Sequence, residues 1–474
     1  MHRSSRTGRS PRSRATAGTA VALAVLGLLA GGCVPETGGV RGGPGAAGLR
    51  DPYFPKLGNG GYDVRHYALD LAFDPAAGRL DGTARITARA TRDLSAFNLD
   101  LAGLTVERAD VDGEPAAFNR AGGELTLRPR DELSEGAEFT VTVVYSGVPE
   151  PLTDADGSTE GWLNTADGAL AVGEPAGSTT WFPGNHHPSD KATYEIALTA
   201  PSRLQALSNG VRVSSGPASG GRTRTVWRQA EPMASYLATV MIGRYATTTG
   251  TALGGVPVVT AVEPSLGPAT AALRAELPTF LARLRERFGP YPFGAAGAVV
   301  VPDGLIGYAL ETQTRPVLPA SAFDRATLVH ELAHQWFGNS VTPESWQDIW
   351  LNEGFATYAE WLYAEEYESV PARRRFEAAF AEDANWAFPP ADPPTAGDLF
   401  GAPVYQRGAM VLHKLREAVG DEVFDELLRG WAAKYRHANA STEDFTAYAE
   451  GVAGRDLGEL WDVWLYGDGR PEKP

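Results

Sequence analysis

The stretch Leu328-Val329-His330-Glu331-Leu332-Ala333-His334-Gln335-Trp336 holds the densest chemistry in the chain. On a helix, His330 and His334 stand four residues apart on one face, so two imidazole nitrogens can reach a single ion about 2.0–2.1 Å away. Glu331 is turned about 100° around the axis, towards a water beside the ion rather than the ion itself. The competing reading is a solvated helix face that carries two histidines by accident. With 8 His and 58 acidic residues in 474, His-Glu-x-x-His arises by chance only about 0.02 times per chain. A catalytic zinc takes three protein ligands and keeps a fourth position open. Glu353, in Trp350-Leu351-Asn352-Glu353-Gly354-Phe355-Ala356, is the candidate third ligand. The 18 residues between His334 and Glu353 leave room for the first helix to end at Gly338 and the chain to turn back through Pro343. An antiparallel helix then continues through Tyr358, Trp361 and Leu362.

Composition agrees with that ligand set. A single Cys excludes a disulfide framework and any Cys-rich zinc module, so His and carboxylate must hold the metal. With 43% apolar residues the chain builds a substantial core, and its length corresponds to about two or three domains. Net charge −16 and a pI near 5.0 argue against nucleic acid as a partner.

Residues 1–32 read as a signal peptide. Arg3, Arg6, Arg9, Arg12 and Arg14 precede the apolar run Ala20–Ala30, which is too short to span a bilayer about 30 Å thick. Leu28-Leu29-Ala30-Gly31-Gly32-Cys33 resembles the lipobox of a bacterial lipoprotein, with Ala30 where a large aliphatic residue is usual. The expectation is export, with Cys33 lipidated on the outer face of the cytoplasmic membrane, or secretion if it is not; no transmembrane helix is expected. Loss of the five arginines takes the mature chain from −16 to −21. Residues 33–50, rich in glycine, read as a flexible tether.

From 51 to 247 the pattern is short and alternating. Tyr67, Leu69, Leu71 and Phe73 share one face at period two, as do Phe139, Val141 and Val143, which predicts an all-β domain. Trp162, Trp181 and Trp227 read as core aromatics within it. From 248 to 474 helical spacing takes over: Leu273, Leu277, Phe280, Leu281, Leu284 and Phe288 repeat along one helix in which Pro278 can bend the axis, and Gly289 ends it. The strand Ala298–Val301 follows, and the remainder is mostly helical. The fold class is therefore α+β, a β-sandwich or saddle followed by a helical domain with a small sheet.

His-Glu-x-x-His, 18 residues, then Glu within Asn-Glu-Gly-Phe-Ala resembles the aminopeptidase N family of zinc metallopeptidases, in a short two-domain bacterial form. Tyr308-Ala309-Leu310-Glu311-Thr312 is similar to the family's Gly-x-Met-Glu-Asn exopeptidase motif. Val404-Tyr405-Gln406-Arg407-Gly408-Ala409 resembles the segment of its catalytic tyrosine, and Phe182-Pro183 with Pro188–Tyr194 resembles its N-terminal signature. The likeness covers most of residues 51–474 and ends with the thermolysin-like domain.

That resemblance implies one zinc ion per chain, held by His330, His334 and Glu353, with Glu331 taking the proton from the attacking water and passing one to the leaving amine. It implies that Tyr405 donates a hydrogen bond to the developing oxyanion. It gives Glu311 and Glu174 the α-ammonium of the substrate, with Ala309 and Leu310 beside the peptide. Tyr308, Leu310 and Thr312 depart from the motif's Gly, Met and Asn, and bulk at Tyr308 narrows the pocket. His186-His187 replaces an acidic pair and reads as ordinary loop contacts rather than a second metal site. The expected activity is removal of neutral or basic N-terminal residues from short peptides with a free N-terminus. The alternatives are a thermolysin-like endopeptidase and a surface-tethered peptide-binding lipoprotein without catalysis.

Overall fold

In the computed structural model, which describes residues 42–472, the alternating segments form sheets because their apolar positions fall on one face. Tyr67, Leu69, Leu71 and Phe73 all lie inward on the strand Tyr62–Asp74. This strand sits at the middle of an eight-stranded sheet ordered 211–218, 222–234, 191–201, 62–74, 79–90, 138–147, 105–111, 114–115. Neighbours are antiparallel except 191–201 and 62–74, which pair in parallel. A five-stranded sheet is ordered 152–153, 159–164, 169–172, 240–243, 205–208. Trp162 and Trp181 are fully buried, and Trp227 donates its indole N–H to the Ala206 carbonyl at 3.0 Å, so all three pack as expected.

The expected tether is corrected over its second half. Residues 42–50 do not hang free: Gly43–Pro44 pairs in parallel with Leu94–Ala96, and the Gly45 N–H donates to the Ala96 carbonyl at 2.8 Å. A Cβ on Gly42 would fall 2.6 Å from the Leu94 backbone, and one on Gly45 would fall 2.5 Å from the Gly60 carbonyl. The glycines serve close backbone approach here rather than flexibility. Residues 33–41, the expected leader and Cys33 lie outside the described residues.

A four-stranded sheet, ordered 246–251, 257–262, 296–301, 317–319, opens the helical half, so the pairing changes just before the expected boundary at 247. Seven longer helices accompany it: α1 (Gly267–Phe288), α2 (Arg325–Ala333), α3 (Trp350–Tyr367), α4 (Ala372–Ala381), α5 (Gly408–Val419), α6 (Asp421–Lys434) and α7 (Thr442–Ala453). Helix α1 runs through Pro278 without a break and ends at Gly289, φ 91°. The described residues belong to one compact unit. Among them no helix is long and apolar enough to cross a membrane.

Candidate active site

Helix α2 is nine residues long and starts where the Asp324 carboxylate caps it, accepting from the Thr327 N–H at 2.9 Å. It brings His330 and its C-cap residue His334 to the first turn of α3, where Glu353 stands. One Glu353 oxygen lies 3.3 Å from His330 Nε2 and 3.5 Å from His334 Nε2. The three ligand atoms fall within 4.8 Å of one another, the one such His, Cys, Asp or Glu group among the described residues.

The far side of each imidazole fixes its tautomer. His330 Nδ1 faces Glu360 Oε1 at 2.7 Å, and His334 Nδ1 faces the Phe337 carbonyl at 3.1 Å. Protons held there leave both Nε2 lone pairs free for a metal. Two such nitrogens and one carboxylate are the donor set of a catalytic zinc, so the residues present fit that ion. Burial raises the Glu353 carboxyl, but His334 and His330 outweigh it and hold the group below the usual carboxylate range.

Glu331 opens onto the same cavity, and one of its oxygens is buried without a hydrogen-bond partner. Burial, opposed by the two histidines, pushes its carboxyl up to about 8. Tyr405 enters from a π-helical turn, Pro403–Arg407, with its ring 6.0 Å from that of His330 and 16° from parallel. Arg407 anchors this turn from below, donating Nε to the Trp464 carbonyl at 2.9 Å and Nη1 to the Phe388 carbonyl at 3.3 Å. Helix α5 then follows hard against α3, where Gly354 meets Gly408: a Cβ on Gly354 would lie 2.9 Å from the Gly408 backbone.

Glu311 and Glu174 reach the cavity from different halves of the molecule. Glu311 lies in a segment paired to the small sheet through Leu310 and Val317. Its carbonyl accepts from Gln335 Nε2 at 3.1 Å and Asn339 Nδ2 at 2.7 Å, which fixes it to the end of the metal helix. Glu174 follows the strand Ala169–Val172 of the β region. Glu160 grips the loop beyond, accepting from the N–H groups of Ala176 and Gly177 at 3.0 and 2.8 Å. Glu174 and Glu311 each keep one buried oxygen without a partner, and burial pushes both carboxyls up.

These groups share a cavity of about 860 Å³. Ala309 lines it, whereas Leu310 turns into the core and contributes only backbone pairing. His186 and His187 are buried in loop contacts with Phe182, Ser189 and Asp51, as expected. Several supporting residues escaped the sequence reading. Glu360 stands seven residues after Glu353, two turns along the same face of α3, a spacing that marks it. Gln335, Asn339, Glu160 and Arg407 act on backbone groups and left no such signal.

Residues 64–237 match the Peptidase M1 N-terminal domain and residues 321–464 match the Peptidase family M1 domain. Aminopeptidase M1-A of Oryza sativa subsp. japonica is 29% identical over 449 residues, covering 86% of this chain and 50% of its own length. Glutamyl aminopeptidase of Mus musculus is 28% identical over 325 residues, 63% of this chain and 34% of its own. The chain thus spans about half the length of the curated relatives it matches, or less. Among solved structures, an M1 zinc metallopeptidase of Deinococcus radiodurans, a mutant bound to a Tyr-Ser-Ala substrate, superposes with a TM-score of 0.83 at 30% identity. That match covers 90% of this chain and 99% of the other. With both family domain models matched along the chain and near-complete coverage of a solved relative at 30% identity, the chain belongs to peptidase family M1.

Proposed function

We propose that this chain is a zinc aminopeptidase that hydrolyses the first peptide bond of short peptides. The observation that carries this reading is the pair of buried, partnerless carboxylate oxygens of Glu174 and Glu311 in the cavity that also holds His330, His334 and Glu353. An α-ammonium supplies the missing donors, and an acetylated or internal amide leaves the buried carboxylate oxygens without a charged partner. When bound, zinc supplies Lewis-acid polarisation of the scissile carbonyl and acidifies water. Glu331, with its raised pKa, accepts a proton from the attacking water and delivers one to the leaving amine. Tyr405 holds its hydroxyl proton far into the alkaline range and donates to the oxyanion.

The test is turnover of aminoacyl amides, free and N-acetylated. Preference for the free amine by about 10²-fold or more, abolished by Glu311→Gln, is expected from loss of a charge-assisted pair. Equal cleavage of both forms establishes an endopeptidase instead, and zinc binding without turnover establishes a peptide-binding protein. We further propose export and attachment through lipid on Cys33, supported by the arginine-led apolar leader and its small residues. Cys33→Ala is expected to move the protein from the membrane fraction to the medium.

A further inference from the structure

Tyr308 occupies the position at which the similar motif has glycine, and it lines the cavity. Its side chain leaves the segment that carries Ala309 and Glu311, and its hydroxyl donates to the Thr159 carbonyl of the β region at 3.1 Å. Thr159 directly precedes Glu160, whose carboxylate holds the loop after Glu174. The Tyr308 side chain therefore ties the segment of Glu311 to the strand that leads into Glu160, the support of the Glu174 loop, and it lines the same cavity. A side chain on the residue bearing the substrate's α-ammonium must share the space with this ring.

We propose that Tyr308 determines specificity: its ring bounds the space for the first substrate side chain, so the site selects compact residues over bulky aromatic ones. The inference rests on the aminopeptidase reading, which places the α-ammonium at Glu174 and Glu311. Excluding a poorly fitting group from a shaped apolar wall is worth about one to two orders of magnitude in affinity.

Binding, rather than turnover, separates this proposal from the reading beneath it. L-alanine amide and L-tryptophan amide are titrated calorimetrically into the zinc-loaded Glu331→Gln protein with Tyr308, with Tyr308→Ala, and with Tyr308→Phe. Tyr308→Ala is expected to shift the affinity ratio towards L-tryptophan amide by about tenfold or more. Tyr308→Phe keeps the ring and loses only the bond to Thr159, so the ratio stays within about twofold of the parent while both affinities move together. General loosening of the fold would weaken both ligands alike and leave the ratio unchanged. An unchanged ratio in Tyr308→Ala overturns the proposal, and so does a shift towards L-alanine amide, which makes the ring a stacking platform. If neither amide binds any of the three proteins, or if N-acetyl amides bind as tightly as free ones, the aminopeptidase reading and the proposal that rests on it both fail; an unchanged ratio with the free-amine preference intact refutes the proposal alone.

Discussion

Glu360 shows how far a single carboxylate can act without touching the reaction. It fixes the proton of His330 on Nδ1 and thereby aims Nε2 at the metal position. Glu360→Ala is expected to weaken zinc by about 10–100-fold in chelator competition, while Glu353→Ala abolishes it. Tyr405→Phe is expected to lower kcat by about 10²–10³-fold with zinc content unchanged, because only the oxyanion donor is lost. At this scale the sequence was most legible where the spacing itself is chemistry. His330, His334 and Glu353 are marked by intervals that only one geometry satisfies. Glu174 is an ordinary loop acid until the β region folds and brings it opposite Glu311. Leu310 looked like a substrate contact and proved to be core, because an extended segment alternates its side chains and Ala309 and Glu311 took the open face.

Among the elements, the β strands and α1 followed their apolar periodicity, since burial of a regular face decides them locally. The glycine-rich stretch 42–50 did not, because the same residue that frees a linker also lets two backbones touch. The contact of Gly354 with Gly408 is the same device between helices. Gly354→Ala forces a Cβ into α5, with an expected stability loss of about 1–3 kcal/mol in urea unfolding and Gly354→Ser no better. Glu160, beneath the Glu174 loop, is pushed up to about 8 mainly by burial. A carboxyl whose folded pKa lies above its unfolded value near 4.5 stabilises the fold at low pH, and that contribution is lost as pH rises through about 8. Thermal melting of the wild type is therefore expected to fall more steeply between pH 5 and 8 than that of Glu160→Gln, whose amide oxygen still accepts from Ala176 and Gly177. Parallel curves would refute this.

Across the whole molecule, the site exists only where both halves meet. Lys191, on strand Lys191–Pro201 of the β region, buries its ammonium against the carbonyls of Asn339 and Ser340 at 3.1 and 2.9 Å, in the turn just after His334. Asn339 in turn holds Glu311. Lys191→Met is expected to cost stability by about 1–3 kcal/mol by leaving the Ser340 carbonyl without this donor, with one cooperative melt retained because both halves share one unit. This joint was invisible in the chain, where Lys191 and Asn339 are 148 residues apart. The docking of Gly43–Pro44 beside Leu94 also sets a length. From Cys33 to Gly42 there are nine peptide steps, a reach of about 32 Å at most, against about 60 Å had the chain come free at Arg50. If the proposed lipid on Cys33 anchors the chain, this docking holds the folded body on a short leash, within that smaller distance of the bilayer surface.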